Sequence, residues 1–144
     1  MKKLLITIGM IFALVGCGTI QYATKEQDAK VKEFKAPSAG KSGLYIFRDS
    51  FIGQEITKAV FVDGEVIGYS IPDTFFYKEV MAGEHKISTE SALGYEAIII
   101  NTESQKNYFI DNYFNPGLLF GGSELKQVDQ ADGESRIKYL NLLK

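Results

Sequence analysis

The chain has 144 residues, 45% hydrophobic and 24% charged, the balance of one folded globular domain with appendages rather than of a disordered chain. With 16 basic and 18 acidic side chains its formal charge is −2, and no basic stripe offers itself to nucleic acid. One histidine and one cysteine exclude a two-histidine metal pair, a histidine relay and an intrachain disulfide.

Lys2 and Lys3 supply a positive start, and residues 4–15 an apolar run broken only by Thr7 and Gly9. A membrane-spanning helix needs about 20 apolar residues and a secretion-signal core about 7–15, so the run reads as a signal. It ends in Leu14-Val15-Gly16-Cys17, which resembles the lipobox of bacterial lipoproteins. That resemblance implies cleavage between Gly16 and Cys17 and lipid on Cys17, the alternatives being an ordinary signal peptide beside an incidental cysteine or an uncleaved anchor. Several acyl chains on one residue, at about 0.8 kcal/mol per buried methylene, would hold the protein on a membrane permanently. Cleavage removes Lys2 and Lys3, leaving 14 basic against 18 acidic side chains and a formal charge of −4. Gly18 stands where an Asp in such lipoproteins signals retention in the inner membrane, so the resemblance implies the outer membrane, facing the periplasm, in an organism that has one.

Residues 18–42 are polar and close on Pro37, Ser38, Gly40 and Ser42, the composition of a tether. Fully extended it would reach about 80 Å. Within it Thr24 and Gln27 fit a capping box, and Val31 and Phe34 could share one face of a short helix.

From residue 43 onward, short apolar and aromatic runs alternate with turn residues about every ten positions, the signature of an all-β sandwich or barrel. Strands are predicted over residues 44–48, 57–62, 66–70, 74–80, 85–90, 95–102, 108–114 and 125–128, with Asp63-Gly64 as a tight hairpin turn between the second and third. Ala82-Gly83, Gln105-Lys106 and Pro116-Gly117 punctuate the later ones. The tail reads either as a helix through Ile137, Leu140 and Leu143 or as a terminal hairpin about Asp132-Gly133. The expected organisation is a signal peptide (1–16), a lipidated cysteine and tether (17–42), and a small antiparallel β-sandwich of seven to eight strands (43–144).

Successive strand side chains point to opposite faces. Tyr45-Ile46-Phe47, Val60-Phe61-Val62 and Ile98-Ile99-Ile100 are apolar on both, so these strands are expected to be covered on both sides. In residues 85–90, Ile87 and Thr89 alternate with Lys86, Ser88 and Glu90, as in a half-exposed strand.

Residues 62–68 (Val-Asp-Gly-Glu-Val-Ile-Gly), Phe75-Phe76-Tyr77 and residues 82–87 (Ala-Gly-Glu-His-Lys-Ile) together resemble the bacterial lipoproteins of domain of unknown function 2846. The first strand, Asn107-Tyr108-Phe109 and the glycine-rich residues 117–122 extend the resemblance over nearly all of the mature domain. The hairpin core is also similar to small β modules whose turn reads Pro-Gly-Glu-His, with Ala82 here in place of the proline. The resemblance implies a transthyretin-like or immunoglobulin-like sandwich on a lipid tether, with no activity and no catalytic residues to carry over. Gly64 and Gly83 match as turn residues suited to positive φ.

Few constellations carry chemistry. His85 has no Gly-x-Ser-x-Gly elbow to serve, and Cys17 at the tether base cannot pair with it. Glu79, Glu84, Glu90, Glu96 and Asp111 could supply an acid–base pair for sugar hydrolysis, but scattered acids on strands more often form a solvated face. No Asp-x-Asp-x-Asp loop suggests calcium; Asp129, Asp132 and Glu134 fit a turn, and the glycines of 117–122 lack a phosphate loop's spacing and lysine. Neither a metal nor a cofactor is expected.

The aromatic excess has two readings. Phe75, Tyr77, Tyr108, Tyr113 and Phe114 put rings on both faces of their strands, and Phe120 sits in an apolar stretch between glycines. Either the tether helix, the C-terminal segment or a loop covers the outer rings, or they form an exposed partner surface. The expected function is a non-enzymatic module, attached to the membrane through its N-terminal lipid, that binds an envelope protein or glycan. A passive structural lipoprotein and a glycan hydrolase are the alternatives.

Overall fold

A computed structural model describes residues 20–50, 57–91, 94–116 and 122–144. In chain order these form α1 (Lys25–Val31), β1 (Lys41–Arg48), β2 (Lys58–Val62), β3 (Glu65–Ser70), β4 (Thr74–Met81), β5 (Gly83–Ser91), β6 (Gly94–Thr102), β7 (Asn107–Asn115), β8 (Gly122–Val128), α2 (Gln130–Ile137) and β9 (Asn141–Leu142). One sheet runs β8-β7-β1-β4-β9 and the other β3-β2-β5-β6. Pairing is antiparallel except between β1 and β7 and between β4 and β9.

The fold is the expected all-β sandwich, with all eight predicted strands in place and a two-residue ninth too short to register as a pattern. Asp63 and Gly64 have φ of 53° and 83° and close Val62 onto Glu65, the two positive values a type I′ hairpin demands. Ala82 and Gly83, by contrast, carry the chain from one sheet to the other rather than closing a hairpin.

Between the sheets Leu44, Ile46, Phe76, Ile110 and Leu125 meet Val60, Val62, Ile87 and Ile100. Strand alternation sends Tyr45, Phe47, Phe75 and Phe109 to the opposite face of the five-stranded sheet, where they build a second core with Ile137, Leu140 and Leu142. Tyr45 and Phe109 stack with centroids 4.9 Å apart, and Phe34 lies 5.4 Å and 6.0 Å from them. Ring pairs of this kind contribute about 0.5–1.5 kcal/mol each beyond their buried area.

The segment expected to be a tether supplies part of this cover. Thr24 and Gln27 make the predicted capping box on α1. Asp28 accepts from the Leu142 amide at 2.8 Å, Lys32 donates to the Leu140 carbonyl at 2.5 Å, and the Ala23 amide donates to the Leu142 carbonyl at 2.9 Å. Asn107 Nδ2 holds the Phe34 and Lys35 carbonyls at 3.1 Å each. The polar composition that suggests a tether belongs to a strap that packs on the sheet with Ala23, Val31 and Phe34, buries Pro37, half-buries Asp28 and Lys32, and shows solvent the rest.

The tail matches neither reading in full: helix α2 ends at Ile137, and Leu140 and Leu143 lie beyond it on either side of β9. Asp129 caps α2 by accepting from the Asp132 amide, and Asp132-Gly133 lies inside the helix rather than in a hairpin turn. A Cβ on Gly133 would stand 2.4 Å from the Phe109 ring, so the glycine is there for close approach of helix to sheet. Glycine-to-alanine inside a helix normally adds about 1 kcal/mol of stability. Gly133→Ala is expected to do the reverse, lowering unfolding free energy by about 1–3 kcal/mol as α2 is pushed off Phe109; urea denaturation measures it.

Candidate functional site

Of the described residues singled out as a partner surface, Phe75 is buried and Tyr77, Tyr108, Tyr113 and Phe114 are half-buried. Gly16, Cys17 and Phe120 lie outside the described residues. Phe75 is fully buried, with the Lys32 ammonium 5.8 Å from its ring centroid. Tyr77 is half-buried, its ring 4.7 Å from Tyr45 and its hydroxyl 3.3 Å from Glu79; burial first, then the Glu79 charge, pushes its phenol up to about 12. Tyr45 is buried, its hydroxyl donating to the Val31 carbonyl at 3.0 Å. Tyr108 is half-buried and accepts from the Glu103 amide at 2.9 Å. Tyr113 donates to Glu124, whose other oxygen takes Asn115 Nδ2 at 2.8 Å, and Phe114 is half-buried. The covering segments, α1 with Phe34 and α2 with the C-terminal residues, convert the outer rings of the five-stranded sheet from a surface into a core.

Three of the five candidate acids, Glu79, Glu90 and Asp111, are occupied structurally. Arg136 on α2 grips Asp49 at 2.6 Å and 2.7 Å, Asp111 at 2.6 Å and Asp132 at 3.3 Å, with its guanidinium carbon 4.6 Å from the Phe47 ring centroid. Burial, helped by the Asp49 and Asp132 charges, pushes the Asp111 carboxyl up against the pull of Arg136. The cluster fastens α2 to β7 rather than presenting a free acid–base pair. Glu90 accepts from the Ala59 amide at 3.0 Å. Among the described residues no three His, Cys, Asp or Glu side chains are grouped to hold a metal ion.

His85 locks two turns together. Its Nδ1 lies 2.7 Å from Asp63 and its Nε2 2.6 Å from the Met81 carbonyl, while Asp63 also accepts from the Lys86 amide at 2.9 Å. Both ring nitrogens face acceptors, which favours the doubly protonated ring. Burial opposes that charge, but the hydrogen bonds to Asp63 and Met81 outweigh it and raise the His85 pKa. For Asp63 burial pulls upward, and the bonds from His85 and Lys86 outweigh it in turn, lowering its pKa.

What stands open is the outer face of the four-stranded sheet. Tyr95, Ala97 and Ile99 of β6 share it with Phe61 of β2 and with Val66 and Tyr69 of β3. Tyr95 is 69% exposed, Ile99 63% and Tyr69 47%. Phe61 and Tyr95 meet edge to face at 5.6 Å. Lys86, Ser88 and Glu90 of β5 stand opposite Ile99, Ala97 and Tyr95 on the same face. The expectation of cover on both sides therefore fails for Ile98-Ile99-Ile100, where Ile99 is exposed, and holds only in part for Val60-Phe61-Val62, where Phe61 is half-buried. Uniformly apolar runs do not say which sheet receives the helices. Separately, an open cleft of about 420 Å³ lies between Phe34, Tyr108, Gln127 and Gln130, a volume typical of small-ligand sites.

These features define a class: a small all-β sandwich with one outer sheet face sealed by helices and the other, among the described residues, bare. The family model described as Protein of unknown function (DUF2846) matches residues 38–123, and the chain belongs to that family. A Haemophilus influenzae (strain ATCC 51907 / DSM 11121 / KW20 / Rd) protein, described as an uncharacterized protein, is similar at 47% identity over 135 residues, covering 94% of this chain and 80% of that one. No solved structure matches. The family segment runs from just before β1 into β8, so α1, α2 and β9 lie beyond it.

The histidine lock has a testable pH signature. A raised histidine pKa stabilises fully below the unfolded value of about 6.5 and the gain is lost as pH rises through the folded value; the lowered Asp63 pKa acts above about 3.8 and its gain is lost on acidification. The thermal midpoint of the wild-type protein is expected to fall between roughly pH 6 and pH 8, and His85→Gln to flatten that slope in calorimetry.

Proposed function

We propose that this chain is a lipid-anchored cell-envelope protein, held through Cys17 on the outer membrane facing the periplasm, whose sandwich binds a protein or another envelope component without catalysing a reaction. The observation that carries the binding reading is the bare sheet face, where Tyr69, Tyr95 and Ile99 are exposed while the opposite outer face is sealed. Exposed aromatic and aliphatic side chains gathered on one sheet face, here on either side of the polar strand β5, mark interaction sites, because rings bring large contact area at low entropy cost. A small envelope glycan has a second place to bind in the cleft beside Phe34 and Tyr108, where aromatic rings sit beside side-chain amides. The non-catalytic reading is supported by the commitment of His85 and the Arg136 carboxylates to holding the fold together.

The lipidated reading gains a geometric consequence. Cys17 lies three residues before Ile20, and three extended residues span about 10 Å. With the strap folded onto the sandwich, the domain sits close to the lipid surface instead of far out on a tether. Ile20 and Tyr22, both exposed, are then its membrane-proximal apolar residues.

Two readouts test the proposal in cells. Labelled fatty acid is expected to appear on the full-length protein, to vanish with Cys17→Ser, and to co-fractionate with the outer membrane. A photo-crosslinking residue at Tyr69 is expected to capture a discrete partner, while one at the buried Phe75 captures none. Absence of acyl label contradicts the anchored placement; a bare face that captures nothing favours the passive structural alternative.

A further inference from the structure

The two sheets have four edge strands, which differ in how far they are protected against pairing with another chain. β9 is only two residues long. β8 places Glu124 and Lys126 along its length. β3 pairs with β2 through a register irregularity between Val60 and Phe61, and begins with Glu65, which is bridged to Lys78 at 3.2 Å. β6 has only one of these devices, the lone Glu96, which pairs with buried Thr89 and so stands on the core side of the sheet. The strand is nine residues long and pairs with β5 without a break from Gly94 to Thr102. Its centre is Ala97-Ile98-Ile99-Ile100, rich in β-branched residues that favour strand pairing. Among the described residues its backbone makes no hydrogen bond beyond the β5 ladder, so alternate amides and carbonyls point outward along the free edge.

We infer that β6 pairs antiparallel with β6 of a second copy of this chain, joining the two four-stranded sheets into one of eight. This stands apart from the reading of the bare face as a docking surface, because pairing at the β6 edge extends that face rather than covering it. The strand is complementary to itself under a two-fold axis. Centred on Ala97, the register sets Tyr95 of one copy beside Ile99 of the other, twice, on the bare face, giving aromatic–β-branched cross-strand pairs. It sets Glu96 beside Ile98, so the lone charge never meets its own copy. A foreign strand would satisfy the same backbone groups, but the near-neutral edge offers it no charge pattern to recognise. A second copy needs none.

Single cysteines placed on the edge of the full-length protein test this in cells, with the wild-type chain as control for Cys17. Residues facing each other across an antiparallel pair have Cα atoms about 4.5–5.5 Å apart, within disulfide reach. Under mild oxidation Ala97→Cys is expected to give a disulfide-linked homodimer at least ten times as abundant as Lys126→Cys gives on the β8 edge. Ile99→Lys, at a position already exposed, is expected to leave the thermal midpoint unchanged while shifting the sedimentation mass of the detergent-solubilised full-length protein from dimer to monomer. A monomeric wild-type mass, equal crosslinking at positions 97 and 126, or adducts of Ala97→Cys only with a foreign chain each overturn the inference. Loss of acyl label with the dimer intact sinks the envelope placement alone; a missing dimer with the Tyr69 crosslink retained sinks the second-copy assignment alone.

Discussion

A sheet whose strands are apolar on both faces cannot stop at one layer of cover, and everything distinctive about this protein follows from how the five-stranded sheet meets that constraint. Its inner face packs on the second sheet through Leu44, Ile46, Phe76 and Ile110. Its outer face, with Tyr45, Phe47, Phe75 and Phe109, needs a third layer, which α1, α2 and the last residues supply. Burial of each large side chain contributes about 1.5–3 kcal/mol, more than any surface ion pair in the chain contributes. The polar contacts then determine where the cover sits. Asp28 and Lys32 tie α1 to the backbone near the C-terminus, and Arg136 ties α2 to Asp49 and Asp111. N-terminal and C-terminal segments thereby close over the same face, with Tyr22 bridged to Leu143.

The asymmetry that results is what the proposed binding role is built on. With both helices on one sheet, the four-stranded sheet has no third layer among the described residues, and its outer face shows solvent Tyr69, Tyr95 and Ile99. The surface suited to a partner is therefore opposite the aromatic strands that attract attention first. Membership in a family of unknown function adds no activity to this picture, and the argument for binding stands on exposure alone.

Much of the fold is legible in the residues because local chemistry dictates it. Asp63-Gly64 can supply two positive φ values cheaply, which makes the hairpin readable. Thr24 and Gln27 specify the start of α1 in the same local way. Tyr45-Ile46-Phe47 announces a doubly covered strand, and it is one. Ile98-Ile99-Ile100 carries the same pattern and lies at a bare edge, since strand order is a long-range property that no window of sequence encodes. The strap reads as a tether because few of its apolar residues, Ala23, Val31 and Phe34, pack on the outer core of the sheet. Gly133 reads as a turn because its partner, Phe109, is distant in sequence.

The most direct measurement of this account is hydroxyl-radical footprinting of the native full-length protein, read residue by residue by mass spectrometry. Double cover of the five-stranded sheet predicts that Tyr45, Phe75 and Phe109 are protected to the level of the inter-sheet core while Tyr69 and Tyr139 label readily. Labelling of Tyr45 and Phe109 at the rate of Tyr69 would mean that the helices do not seal that face, and would contradict the account.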